Sequence, residues 1–341
     1  MKIKVTIKDV AKRSGVSIST VSRVLNNSKP VSPEIRQRVL EAIRETGYRP
    51  NLLARGLVLR KTNIIGIIVP DISNAYYSEL VKGTEEISNM YNYSILLCNT
   101  YGELKKEMEY LNLLTEKQVD GIIFMTTNLT EEHVRWFKEN DVKSVFVNRH
   151  IEGMDIPYVS IDNYNAAYDA TNYLIELGHE KIAYIGGPLS DEILGMKRFE
   201  GYKQALYDAG IDFRQELVRV SKIGIKSGYE AMGDILDVHK DITAVFAAND
   251  IMAIGAVNCI LDRGYKIPQD ISVVGFDDIP FASIIRPALT TIRQPIYDIG
   301  AVAARMLIKK LNGEKLDEIS VNLPYQLIER DTSAKAKKRR K

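Results

Sequence analysis

Two groups of residues in this 341-residue chain have the types and spacing to do chemistry. The first lies within residues 5–26, where Ser17, Thr20 and Ser22 alternate with Ile18, Ser19 and Arg23 in a short run ending at Asn26. An arginine there can bond bidentately to a guanine edge, small side chains permit close approach, and hydroxyls near a helix start suit phosphate oxygens. The second group is scattered: the stretch 71–77 with Tyr76 and Tyr77, then Asn148-Arg149-His150, Asp162, Arg198, Asn249-Asp250 and Asp277. Carboxylates, amides and guanidinium groups can hold sugar hydroxyls, with a tyrosine ring stacked on the apolar sugar face. Neither group is a catalytic constellation. His133, His150, His179 and His239 are dispersed, and there is no HExxH, CxxC, GxSxG or GxxxxGK[ST], so no metal, no cofactor and no enzymatic activity are expected.

Charge separates the same two regions. The formal net charge is only +2, yet residues 1–60 hold thirteen Lys and Arg against four acids, a net of +9, while residues 61–334 carry −13. Such asymmetry suggests a polyanion-binding module joined to an acidic body. Cys98 and Cys259, the only cysteines, sit in apolar contexts and read as buried thiols in a reducing compartment. No apolar run reaches the ~20 residues of a membrane span, and residues 1–20 hold charged groups where a signal peptide would be apolar. A cytoplasmic protein without a membrane partner is expected. The run AKAKKRRK over 334–341 reads as an unstructured solubilising end, with assistance to nonspecific DNA binding as the alternative.

Periodicity supplies the elements that must position these groups. Thr6-Ile7-Lys8-Asp9 has the spacing of a helix cap, Ile7, Val10 and Ala11 share one face, and Ser14-Gly15 breaks the helix. A second helix, from about 18 to 26 and capped by Ser17, turns Val21, Val24 and Leu25 inward. Ser32-Pro33-Glu34 starts a third, with Ile35, Val39, Ala42 and Ile43 as its stripe and Gly47 as its end. This is a helix-turn-helix pattern. Residues 51–58, containing Gly56, form a helix candidate too short to be stable alone, which suits a segment poised between coil and helix. Beyond residue 63 the chain alternates apolar runs (64–70, 93–99, 121–126, 144–147, 158–161, 182–186, 217–221, 244–248, 271–275) with helical patterns such as 75–89, 104–116, 166–177 and 251–263. Such alternation means βαβ units, here about ten strands in two doubly wound parallel sheets, with ligands bound where loops leave the strand C-termini.

Val5-Thr6-Ile7-Lys8-Asp9-Val10-Ala11, Gly15-Val16-Ser17, Thr20-Val21-Ser22-Arg23-Val24-Leu25-Asn26 and Gly47-Tyr48-Arg49-Pro50-Asn51 closely resemble the headpiece of the LacI/GalR family of repressors, and the likeness continues more loosely to about Arg330. The resemblance implies an all-α headpiece over 1–50, a hinge helix and linker over 51–62, and an α/β two-lobed body of the periplasmic-binding-protein-like fold over 63–330 that binds effector and dimerises, leaving a basic tail over 331–341. Lobe 1 would hold about 63–162 and 292–322, and lobe 2 about 163–291 and 323–330. By position, Ile18, Ser19 and Arg23 would read bases, while Thr6, Ser17, Thr20, Ser22, Asn26 and Tyr48 would form the phosphate or framework shell. Ile18-Ser19 differs from the Tyr-Gln pair of the lactose repressor, which argues against a lactose-operator preference. Leu57 would wedge into the minor groove with Ala54 and Arg55 beside it. Tyr76, Tyr77, Arg149, Arg198, Asn249 and Asp277 would contact the effector.

The implied protein is an allosteric regulator, mainly a repressor, holding a pseudo-palindromic double-stranded operator as a homodimer. Gln118-Val119-Asp120-Gly121-Ile122, Thr130-Glu131-Glu132-His133-Val134 and the run from Gln294 to Ala303 look like the catabolite control proteins of Gram-positive bacteria. That branch implies control by serine-phosphorylated HPr, by a sugar or sugar-phosphate effector, or by both, with Tyr91, Tyr93, Tyr297, Asp298, Val302, Arg305 and Lys309 at the phosphoprotein contact. Arg305 and Lys309, four apart, share a helix face and can together receive a phosphoserine. Asn148-Arg149-His150 and the 190–195 loop look more like members that bind free sugars, so a repressor of a local sugar-utilisation operon is the alternative. A solute-binding protein would share the lobes but has no use for the headpiece. Inducer and corepressor are not distinguished.

Overall fold

A computed structural model describes residues 5–26, 29–48, 61–151 and 153–337, with the backbone alone at 26. The chain divides into two compact units, Met1–Thr62 and Asn63–Lys341. The described residues of the first form three helices: α1 (Ile7–Ser14), α2 (Ile18–Asn26) and α3 (Pro33–Thr46). The backbone N–H and the hydroxyl of Thr6 both donate to Asp9 Oδ2, at 2.8 and 2.7 Å, which closes the start of α1. Gly15, at φ 67°, turns the chain after α1 in a conformation that strains any side chain. Arg38 of α3 donates to Ser14 O at 2.6 Å, occupying a carbonyl that a helix end leaves unpaired. Val10, Val21 and Val39, one from each helix, meet in the centre with Ala11, Val24 and Ala42.

The second unit contains two six-stranded sheets. The first uses β1 (Ile64–Val69), β2 (Ser94–Asn99), β3 (Gly121–Phe124), β4 (Ser144–Val147), β5 (Tyr158–Ile161) and β11 (Ser320–Leu323), in the order β11-β5-β4-β3-β1-β2, all parallel. The second uses β6 (Ile182–Gly186), β7 (Val218–Val220), β8 (Ala244–Ala247), β9 (Ser272–Asp277), β10 (Thr290–Arg293) and β12 (Gln326–Ile328), in the order β12-β10-β9-β8-β6-β7. Only β12 runs antiparallel to its neighbour. The chain therefore crosses between the sheets after β5, after β10 and between β11 and β12.

Helices cover both faces of each sheet, and strand alternation feeds them separately. Ile65 and Ile67 pack with α4 (Ala75–Met90) and α12 (Ile296–Leu311), whereas Ile68, Ile122 and Phe124 pack with α5 (Leu104–Glu116) and α6 (Glu131–Glu139). In the second sheet, Ile182 and Tyr184 face α7 (Asn163–Glu176) and α8 (Lys197–Asp208), while Ala183 and Ile185 face α9 (Ile225–Val238) and α10 (Asp250–Asp262). A short α11 (Pro280–Ile284) follows β9. The backbones of α4 and α12 touch at Gly300, where an added Cβ would lie 2.0 Å from Leu80 O.

The expectation of a free basic end from residue 334 is corrected for residues up to 337. Val273 N–H donates to Thr332 O at 2.8 Å, and the fully buried Thr332 hydroxyl donates to Val273 O at 2.7 Å while accepting from Thr290 N–H at 2.8 Å. Further along, His179 Nε2 meets Ala334 O at 3.0 Å, Ala336 N–H donates to Leu177 O at 2.8 Å, and Lys337 pairs with Asp270 at 2.8 Å. Composition conceals this strap because its partners, Thr290, Val273, His179, Leu177 and Asp270, lie far away along the chain, and such pairings carry no local sequence signature. Thr332→Val strips two hydrogen bonds from buried backbone groups, so it should lower stability by roughly 1–3 kcal/mol and accelerate tryptic cleavage after Lys335. A cleavage rate equal to wild type would show that Thr332 does not anchor the strap.

Candidate nucleic-acid face and ligand cleft

Helix α2 has one buried and one exposed side. Val21 and Val24 enter the core of the first unit, leaving Ile18 (44% exposed), Ser19 and Arg23 outward. Ser17 Oγ accepts from Thr20 N–H at 3.1 Å and shares hydrogen bonds with Ser19 Oγ at 2.7 Å and Thr20 Oγ1 at 2.8 Å. The hydroxyls that open α2 thus form one connected cluster at its N-terminus, where backbone N–H groups and the helix dipole favour an anion. Thr6 belongs to the α1 cap, Ser22 is half-buried, and Tyr48 packs half-buried against the three-helix core. The Asn26 side chain and residues 51–60, with Ala54, Arg55 and Leu57, lie outside the described residues.

In the second unit a cavity opens among loops that leave the C-termini of both sheets. Tyr76 and Tyr77 stand at the start of α4, whose first turn is held by Asn74 Oδ1 accepting from Tyr76 N–H at 3.0 Å. Their rings meet edge to face, with centroids 5.2 Å apart. Asn148 donates to Tyr76 Oη at 2.6 Å and accepts from Ser160 at 2.9 Å. Burial pushes both phenols well above their usual range.

The opposite wall comes from the second sheet. Arg198 of α8 donates to Asn163 Oδ1 at 2.9 Å and to Ala248 O at 2.5 Å, stands 3.5 Å from Asp277 Oδ1, and lies 3.7 Å over the Phe276 ring. Asn249 holds the start of α10 by accepting from Met252 N–H at 2.9 Å. Asp277, at φ 118°, sits in a backbone conformation costly for a residue with a side chain, of the kind that collects at functional sites. Gln294 Nε2 donates to its Oδ1 at 2.6 Å. Next to it Asp250 accepts from Thr291 Oγ1 at 2.6 Å and Ile279 N–H at 2.9 Å. Burial raises the Asp277 carboxyl to about 6 against the opposing pull of Arg198. Asp250, buried and facing that charge, is likewise held well above the usual carboxylate range.

Arg149 takes a different place from its expected companions. It donates to Asp191 Oδ2 at 2.7 Å and to Asn148 O at 2.5 Å, with both ionic side chains at most 9% exposed. Since Arg149 follows β4 and Asp191 follows β6, this ion pair joins the two sheets. Tyr76, Tyr77, Arg198, Asn249 and Asp277 line one cavity with Asn74 and Asp191, while Arg149 lines a smaller one that shares Tyr76 and Tyr77. Asp191, Asn163 and Gln294 join the expected residues around Arg149, Arg198 and Asp277. The 190–195 loop was the sole signal for the first. Asp162 caps α7 through Asn165 N–H, and His150 stacks on Tyr158, so neither lines the cavity.

On α12, Asp298 and Arg305 are exposed, and Tyr297, Val302 and Lys309 half-buried. Lys309 reaches Asp317 at 3.2 Å. Tyr91 is 52% exposed, but Tyr93 is only 5% exposed and belongs to the core, because the turn after α4 points it back under the helix. Among the described residues no cluster of three or more His, Cys, Asp or Glu is placed to hold a metal, and no helix is long and apolar enough to cross a membrane.

Comparison with known proteins matches residues 62–330 to periplasmic binding proteins and the sugar binding domain of the LacI family, and residues 6–51 to bacterial regulatory proteins of the lacI family. The chain is 45% identical over 328 residues to the HTH-type transcriptional regulator RegA of Clostridium saccharobutylicum, spanning 96% of this chain and 99% of that one. It is 43% identical over 325 residues to catabolite control protein A of Priestia megaterium, spanning 95% and 98%. The lac repressor dimer bound to operator and the anti-inducer ONPF superposes with a TM-score of 0.88 at 27% identity, over 97% of this chain and 100% of that one. A helix-turn-helix headpiece and a body of two largely parallel sheets, matched by sequence over nearly the whole length, establish that this chain belongs to the LacI family of bacterial transcription regulators.

Proposed function

We propose that the chain is an allosteric regulator, mainly a repressor, that binds a pseudo-palindromic operator as a homodimer. Residues 1–50 read DNA, 51–62 form the hinge and linker, and 63–330 bind effector and dimerise. The observation that carries this reading is the cavity whose walls come from two sheets joined by the buried Arg149–Asp191 pair. A ligand that contacts both walls acts differently on different lobe arrangements, which is the requirement for an effector. Ile18, Ser19 and Arg23 read base edges, the Ser17 cluster meets phosphate, and Leu57 with Ala54 and Arg55 enters the minor groove. A sugar or sugar phosphate lies against Tyr76, Tyr77, Arg198, Asn249 and Asp277, with Arg149 behind. Dimerisation is supported by apolar side chains exposed on both lobes, among them Leu96 and Leu97 on the edge strand β2 and Phe281 and Ile284 on α11.

Within this class we favour catabolite control, on the strength of the relatives' names and of the α12 face. Serine-phosphorylated HPr docks there against Tyr91, Tyr297, Asp298, Val302, Arg305 and Lys309, and Tyr93 is withdrawn from the set. The second reading, a local sugar-operon repressor, is favoured by the engagement of Asn148, Arg149 and Asp191 at the cleft.

Footprinting of the full chain should reveal an inverted repeat, and Arg23→Ala should weaken operator binding by about 1–3 kcal/mol while relaxing sequence preference. Protection independent of sequence would sink the repressor reading. Arg305→Ala should abolish any gain in operator affinity on adding phospho-HPr; an undiminished response would remove α12 as its site. Sugar affinity, measured by calorimetry, should fall as pH drops through about 6, where Asp277 gains a proton and ceases to be a charged acceptor. Ligand-free stability carries the opposite sign: with its pKa raised from 3.8, Asp277 contributes stability that is present below that value and lost as pH rises through about 6. Sugar affinity flat from pH 5 to 8 would exclude Asp277 from the contact.

A further inference from the structure

We infer that the cleft takes an uncharged polyhydroxylated ligand and discriminates against its phosphorylated form. The inference rests on the reading of the cleft as the effector site and narrows the chemistry of what enters it. The cavity and its neighbour present two cations, Arg149 and Arg198. Each is already matched: Arg149 by Asp191 at 2.7 Å, and Arg198 by Asp277 at 3.5 Å. Asp250 adds a third carboxyl next to Asp277. The charged groups at the cleft therefore sum to zero when Asp250 is protonated and to −1 when it is ionised. A phosphate entering there would be stripped of water with no unspent cation to receive it, and a buried charge without a partner is costly.

Three helical segments begin at the cleft, and their N-terminal N–H groups are the remaining means of holding an anion. Each of these starts is already capped by a side chain of the chain itself, which takes one or two of its N–H groups. Asn74 accepts from Tyr76 N–H at the start of α4, and Asn249 accepts from Met252 N–H at the start of α10. Asp191 Oδ1 accepts from Ile193 and Leu194 N–H before α8, where it also sets a negative charge against that end. Hydrogen-bond acceptors, by contrast, are in surplus. Asp277 is a carboxylate at the wall, and its contacts with Gln294 and Arg198 both fall on Oδ1. Sugar hydroxyls donate as well as accept, whereas a phosphate dianion only accepts.

The test is calorimetry and thermal melting of the full chain with D-ribose, D-glucose and D-fructose, each against its phosphate: ribose 5-phosphate, glucose 6-phosphate and fructose 1,6-bisphosphate. At least one free sugar should bind, with its phosphorylated counterpart weaker by tenfold or more. Asp191→Asn keeps an oxygen for the two backbone amides but frees the Arg149 charge, so it should narrow that ratio by raising phosphate affinity. A phosphorylated sugar that binds wild type as tightly as the free sugar, or more tightly, overturns the inference while leaving the cleft an effector site. An unchanged ratio in Asp191→Asn overturns the charge-matching argument. Binding of neither series, in protein that still melts higher with operator DNA, removes both the inference and the sugar-site reading beneath it.

Discussion

A guanidinium taken out of water must find partners for its charge and its N–H groups, and Arg198 sets that requirement at the centre of the second unit. Its partners arrive from three directions: Asn163 from the crossover after β5, Ala248 from the end of β8, and Asp277 from the end of β9. Phe276 supplies the face beneath. These loops belong to different βαβ units, and their convergence follows from the parallel order of the second sheet, which places β8 beside β9. Removing the guanidinium would leave a raised carboxyl and a buried amide without their partner, so the site cannot relax one member at a time.

The same economy of groups runs through the cleft. Asn74, Asn249 and Asp191 each hold a helical start and also line the cavity. A side chain that fixes a helix end is itself fixed, which is how a loop residue acquires the precision that recognition requires. The headpiece works alike, with the Ser17 cluster shaping the start of the helix that faces outward.

Much of the fold was readable because its cause is local. Val10, Val21 and Val39 follow helical spacing into a single core, Gly15 marks the turn, and strands buried on both faces appear as continuous apolar runs. Strands β10, β11 and β12 have no apolar run to mark them: Thr290-Thr291-Ile292-Arg293 holds one apolar residue although it lies inside its sheet, while Ser320-Val321-Asn322-Leu323 and Gln326-Leu327-Ile328 are short, partly polar and at sheet edges. In the site, loops at strand ends pointed to Tyr76, Arg198, Asn249 and Asp277. The pairing of Arg149 with Asp191 was not readable, because it depends on two sheets approaching each other rather than on any spacing along the chain. Tyr93 was misplaced for a related reason: an aromatic after a turn has the same type whether it faces solvent or core.

Asp191 divides its two oxygens, giving Oδ1 to the amides of Ile193 and Leu194 and Oδ2 to Arg149. That division makes separation of the lobes lopsided. If they part, the carboxylate keeps its two amide donors and the positive end of a helix, so its side of the broken pair stays solvated by protein. Arg149 keeps only the Asn148 carbonyl and must find water or ligand. For this ion pair the toll of opening therefore falls on the first lobe, where Arg149 alone would need a new partner.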